Sequence, residues 1–461
     1  MASRNVSKLM HWAKGIGSQA SKTSPAIILI DNHFHSRVYT TGSTISGFVS
    51  IDPEQDILYD RVEISLTGTS RVESDFLQQH AIGVEHEFLH LQMPIVESTL
   101  PNTRLLEVGN THRVSFTFVI PHQLPSQSCR HPCSSLATKE NHLRTPPSVG
   151  YWDGELDDHA PRISKISYAI NFRLFGNLLD DKKRKPHMVI QSCLKFQVLP
   201  LVPEEAPLDV ALQTPEYQLS YNKNIRSTLL SRKKAHLSAN TTQPQAVLLT
   251  ADGRRTSALF TTISLNFTSF NTDTKPPHLN QVTARLESTT FLSLQPFVAL
   301  PILNPDASTM DPVRPYLTST KLIVKPIGNL DWRLTSSFTG MDTGSSVESE
   351  VLRENKRHDQ GEERLQAQPR SFTAVAEVSL DIPYSSKRTF LPTFHSCFIS
   401  RIYRLHLSLY LGSQNTTVSM VVPLQIATKE CNSSDIDELP EYTGAESSIS
   451  GTSDTLLPPY E

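Results

Sequence analysis

No stretch of this chain approaches the roughly 18 uninterrupted apolar residues that a membrane-spanning helix requires. Charge of one sign is lacking too: 43 Lys and Arg stand against 46 Asp and Glu, a net −3, so no broad basic field advertises nucleic acid. Cysteine is scarce. The five thiols, Cys129, Cys133, Cys193, Cys397 and Cys431, form an odd and widely spaced set rather than a disulfide framework, and they read as reduced thiols of a cytoplasmic protein. The first thirty residues hold Arg4, Lys8, Lys14 and Lys22 and no acid, but the apolar core of a secretion signal is missing. Residues 1–24 are expected to be a disordered arm.

What the sequence has in plenty is alternation with a period of two. In "DRVEISLTGTS", Val62, Ile64 and Leu66 alternate with Glu63, Ser65 and Thr67, and in "HRVSFTFVIP" Val114, Phe116, Phe118 and Ile120 do the same. "KISYAINFRLFG" places Ile166, Tyr168, Ile170, Phe172 and Leu174 on one face. The second half repeats the pattern through Ala374, Ala376, Val378 and Leu380, then Tyr403, Leu405, Leu407, Leu409 and Leu411, then Val418, Met420, Val422, Leu424 and Ile426. Successive strand side chains point to opposite faces, so each run offers one face to a core and the other to water.

Many short strands, few helical periods and 31 prolines predict an all-β chain built as two tandem antiparallel immunoglobulin-like sandwiches. The expected division is 25–200 for the first sandwich, 201–228 for a proline-bearing linker and 229–428 for the second sandwich. Residues 340–371 are charged and nearly without large apolar side chains, which predicts a disordered loop inside the second sandwich. Residues 429–461, acidic and serine-rich, are expected to be a disordered tail.

Three local patterns invite chemistry. "HEFLH", residues 86–90, matches the zinc-protease motif, in which two histidines on one helix face hold the metal and Glu87 serves as base. Leu89, Leu91 and Met93 alternate with His90 and Gln92, however, and Pro94 ends the run; the period predicts a strand. On a strand His86 and His90 would stand roughly 13 Å apart, too far to share one zinc, so neither zinc nor peptidase activity is expected of this motif. In "HQLPSQSCRHPC", Cys129, His131 and Cys133 could begin a metal site, but no second ligand pair follows at finger spacing, and no metal or other cofactor is expected. The basic runs 180–187 and 231–236 read as solvated turns between strands, with a weak contact to anionic lipid as the functional alternative.

The segments "IILIDNHFHSRVYTTGSTISGFVSID", "DRVEISLTGTSRVES", "FLHLQMPI", "VSFTFVIPHQLPSQSC" and "LRTPPSVG" together resemble the N-terminal domain of the fungal arrestin-like proteins, the α-arrestins. "ISYAINFRLF" resembles a later strand of that domain, and "YSSKRTFLPTFHSCFISRIYRLHLSLYLG" with "VSMVVPLQIA" is similar to the closing strands of the arrestin C-terminal domain. The resemblance implies a non-enzymatic trafficking adaptor, recruited from the cytoplasm to the plasma membrane and endosomes, that engages a plasma-membrane transporter or receptor as cargo. It further implies a tail that recruits a HECT-type ubiquitin ligase. No nucleophile elbow, phosphate-binding loop or paired carboxylates oppose that expectation.

The tail adds a clue of its own. Leu439, Pro440 and Tyr442 in "ELPEYTG", and Leu457, Pro458 and Tyr460 in "LLPPYE", give two copies of Leu-Pro-x-Tyr. A WW domain binds polyproline II segments in an aromatic groove: proline fixes φ beforehand, and the tyrosine two positions on fills a neighbouring pocket. Tails of the family often carry Pro-Pro-x-Tyr, and leucine replaces the first proline at both places here. Two copies allow two WW domains of one ligase to be engaged together, the second binding event being intramolecular. The alternative function is an arrestin-fold scaffold that sorts endosomal cargo without a ligase, which needs neither motif.

Overall fold

The computed structural model describes residues 25–73, 83–94, 100–150, 157–178, 187–226, 233–271, 274–301, 313–337, 369–385, 387–412 and 416–429. Strands dominate, as the period of two predicts. In the first half, Ala26–Ile30, Thr44–Ile51 and His112–Val119 form one antiparallel sheet. A second sheet runs in the order Val38–Tyr39, His187–Val198, Ser164–Leu178, Ile57–Glu73, Gly83–Gln92, with Leu105–Leu106 paired to Ile57–Glu73. The predicted inner faces are the ones that meet: Ile64, Leu66, Phe116, Phe118, Ile166, Tyr168, Ile170, Phe172 and Leu174 are all buried in one cluster. Tyr168 keeps its hydroxyl satisfied inside that cluster by donating to the Pro146 carbonyl at 2.6 Å.

The second half repeats the arrangement. Ser220–Arg226, Lys233–Thr241, Leu259–Ser269, Arg370–Asp381 and Ile323–Val324 lie side by side, with Arg333–Ser337 also on Arg370–Asp381. The facing sheet orders Val313–Lys321, Leu279–Ser293, Ile399–Leu411 and Phe394–His395, and Thr416–Leu424 pairs with Ile399–Leu411. Between them the alternating residues named above, from Ala374 to Ile426, are buried together.

The two cores are stitched together by long strands. Ile399–Leu411 gives Ile399 to the first core and Tyr403 through Leu411 to the second; Leu279–Ser293 likewise gives Leu292 to the first and Val282 through Leu286 to the second. Buried Arg401 lies between these two parts of its strand, donating from Nε to Thr290 Oγ1 at 2.8 Å and from Nη1 to the Asp158 carbonyl at 2.9 Å.

Several boundaries differ from the expected ones. Ser220–Arg226, inside the range read as linker, is a strand because Tyr221 and Ile225 turn inward while its backbone pairs with Lys233–Thr241. Within the second basic run, Lys233 and Lys234 open a strand rather than a turn, since Ala235, Leu237 and Ala239 carry the buried face there. Residues 370 and 371, at the end of the predicted loop, already pair with Leu259–Ser269. Residues 340–368, the first basic run up to 186, the arm 1–24 and the tail from 430 lie outside the described residues.

Candidate functional site

"HEFLH" is on a strand, Gly83–Gln92, and the strand is bulged. Leu89 opposes Gly68 and Glu87 opposes Thr69, so Phe88 is the extra residue and it and Leu89 are buried in succession. The bulge changes the face of the residues beyond it. His86 is half-buried, its ring 5.3 Å from that of Phe398, whereas His90 is exposed and pairs with Glu87 at 3.0 Å. The two histidines therefore cannot share an ion, for a stronger reason than strand rise alone.

Chemistry-bearing side chains gather a short distance away, where the two cores meet. A single 3-10 turn, Ser126–Ser128, precedes Cys129; Ser128 Oγ donates to the Phe88 carbonyl at 2.5 Å, which fastens the turn to the bulged strand. The helix Leu136–His142 follows, begun by Ser135, whose hydroxyl accepts from the Thr138 amide at 3.1 Å. His142, the last residue of that helix, points inward and is buried. From the second half, the loop between Phe394–His395 and Ile399–Leu411 brings in Cys397, also buried and 3.9 Å from the Ser128 carbonyl.

The resulting cluster is tight. Cys129 Sγ lies 3.3 Å from His131 Nε2, 3.7 Å from Cys133 Sγ and 3.7 Å from His142 Nδ1, and Cys133 Sγ lies 3.8 Å from His142 Nδ1. Cys129, His131, His142 and Cys397 can each place one ligand atom within 4.8 Å of all the others. Burial, with the rings of His131 and His395 nearby, holds His142 down to about 4, so its imidazole is neutral at pH 7. Burial and then Cys129 push the Cys133 thiol up to about 11, and the same two causes push Cys397 well above its ordinary value. Such an arrangement can hold a soft divalent cation. Sequence reasoning saw Cys129, His131 and Cys133 but missed the other two. Ser135 as a helix cap was the available signal for His142; for Cys397, far along the chain, no local signal exists.

A cavity of about 290 Å³ borders this region, walled in part by Arg144, Glu205, Tyr217, His395 and Tyr403. His395 Nδ1 is 2.6 Å from Ser400 Oγ, a pairing that superficially suggests a nucleophile and its base. Ser400 is wholly buried, and the charge acting on His395 is the Arg144 cation rather than an orienting carboxylate, so the pair serves packing. The six Leu-Pro-x-Tyr residues, Leu439, Pro440, Tyr442, Leu457, Pro458 and Tyr460, lie outside the described residues.

Residues 326–429 match the family described as Bul1 C terminus. That span contains Arg370–Asp381, Ile399–Leu411 and Thr416–Leu424, so the match falls on strands that build the second core, and on Cys397. Over 176 residues the chain is also 26% identical to Bypass of stop codon protein 5 of Saccharomyces cerevisiae, a stretch that covers 32% of this chain and 34% of that protein. The chain thus matches about a third of this relative's length. Together with the all-β architecture, these similarities agree with the resemblance to fungal arrestin-like proteins read from the residues.

Proposed function

We propose that this protein is a trafficking adaptor, and not an enzyme, that brings a WW-domain HECT-type ubiquitin ligase to plasma-membrane transporters or receptors for ubiquitination and endocytosis. The observation that carries this reading is the pairing of a Bul1 C terminus match at 326–429 with two Leu-Pro-x-Tyr motifs directly after it. In this reading the two sandwiches form a body that engages cargo, and the tail engages the ligase. Pro440 and Pro458 pre-set polyproline II backbone, Tyr442 and Tyr460 supply the buried aromatic anchors, and Leu439 and Leu457 take the place of the leading proline. Among the described residues no helix is long and apolar enough to cross a membrane, which fits a protein that reaches membranes by recruitment to the plasma membrane and endosomes.

The test is a pull-down of full-length chain with two WW domains joined in tandem, followed by cargo ubiquitination in cells. Wild-type chain should be retained and the Tyr442→Ala, Tyr460→Ala double variant lost, with cargo left unmodified at the surface. Equal retention of both would leave the scaffold that sorts endosomal cargo without a ligase as the better function.

A further inference from the structure

We propose that Cys129, His142 and Cys397, completed by His131 or Cys133, form a structural zinc site that fastens the first half of the chain to the second. With Zn–S near 2.3 Å and Zn–N near 2.0 Å, a tetrahedral site has S···S edges of about 3.8 Å and S···N edges of about 3.5 Å. Cys129, His131, His142 and Cys397 each place a ligand atom within 4.8 Å of all the others, and Cys129 Sγ stands 3.3 Å from His131 Nε2 and 3.7 Å from His142 Nδ1, near the S···N edge; Cys133 Sγ, 3.7 Å from Cys129 Sγ and 3.8 Å from His142 Nδ1, is the alternative fourth ligand. His131 competes for the same corner. Its Nδ1 lies 3.0 Å from the Pro132 carbonyl, so donation there leaves Nε2 with its lone pair directed at the cluster, the usual second hydrogen bond of a zinc-ligating histidine.

Other roles fit the cluster less well. A catalytic cysteine needs an exposed thiolate beside a cation, whereas Cys129 and Cys397 are buried. Ordinary core packing would not gather three sulfurs and two imidazoles in one place. A divalent cation reverses the cost of thiolate burial, because a coordinating thiol gives up its proton on binding. Soft sulfur with imidazole in a closed tetrahedral setting selects zinc.

The location gives the site its consequence. Cys129 and His142 belong to the first half, Cys397 to the loop that leads into Ile399–Leu411, the strand shared by both cores. Zinc would therefore lock the junction between the cores, and its removal would loosen that junction while leaving each sandwich's own sheets paired.

Full-length chain expressed with zinc in the medium should carry one zinc per molecule by elemental analysis, and cobalt replacement should give the d–d bands and sulfur-to-metal charge transfer of a tetrahedral thiolate site. Cys397→Ser and His142→Ala should each lower bound zinc at least tenfold. Cys193→Ser, at an exposed thiol, and His90→Ala, in the protease-like motif, should keep it. Of His131→Ala and Cys133→Ser, the one that loses zinc names the fourth ligand. Should Cys397→Ser fail to fold, cobalt titration of metal-stripped wild-type chain still decides: the charge-transfer band is expected. Absence of that band together with no bound zinc, a Cys129–Cys133 disulfide in the native mass, or zinc retained in both Cys397→Ser and His142→Ala would each overturn the site.

Discussion

Replacing Glu287 by alanine should destabilise the second core by about 3–5 kcal/mol, because it strands a buried guanidinium. Glu287 and Arg404 sit directly opposite each other on Leu279–Ser293 and Ile399–Leu411, at 7% and 9% exposure. Arg404 Nη2 donates to Glu287 Oε1, and Nη1 reaches the Glu216 carbonyl at 3.3 Å. His406 Nε2 stands 3.2 Å from the other carboxylate oxygen, and Arg285 donates to His406 Nδ1 at 3.2 Å. Burial, reinforced by the Arg285 cation, lowers the His406 pKa, so the imidazole is neutral at pH 7 and leaves Glu287 as the partner that compensates Arg404. Without the carboxylate nothing on these strands replaces it. Substituting both residues with methionine removes the stranded charge as well, and should cost less than about 1.5 kcal/mol. Urea unfolding followed by Trp332 fluorescence, in a chain whose Trp12 and Trp152 are replaced by phenylalanine, reads the effect locally, since Trp332 packs against Phe267 of this core at 6.1 Å. A single-variant loss under about 1 kcal/mol, or a double variant as unstable as the single, would refute the reasoning.

Two further perturbations test other parts of the structure. Gly68→Ala would place a Cβ 2.5 Å from the Phe88 ring at the bulge; the expected cost is about 1–3 kcal/mol in thermal or urea unfolding, partly recovered by Phe88→Leu, and an unchanged midpoint would count against the bulge. His395 is held to about 4 by burial and then by the Arg144 cation, so the unfolded chain takes up a proton near pH 6.5 that the folded chain refuses. Its contribution to stability is therefore present above pH 6.5 and lost as the pH falls toward 4. A His395→Asn variant should show a shallower decline of unfolding midpoint over that interval than wild type, and parallel curves would contradict the assignment.

Much of the fold was legible because burial writes itself into strand sequences with a period of two. The inward faces at Ile166 through Leu174 and at Tyr403 through Leu411 were readable one strand at a time. Where tertiary pairing decides, the signal fades: Ser220–Arg226 is a strand with only Tyr221 and Ile225 as apolar markers, and the bulge at Phe88 depends on Gly68 in the neighbouring strand. The Cys and His cluster shows the same limit. Spacing exposes ligands that are close in sequence, as Cys129, His131 and Cys133 are, and cannot reveal Cys397, which arrives by the fold alone.

The central claim is that the tail links an arrestin-like body to a ubiquitin ligase, and affinity for WW domains tests it most directly. Full-length chain titrated with a tandem pair of WW domains should bind; Tyr442→Ala or Tyr460→Ala alone should each weaken binding by about 1–3 kcal/mol, roughly 5- to 150-fold, and both together should abolish it. Wild type and the double variant binding with equal affinity would contradict the claim.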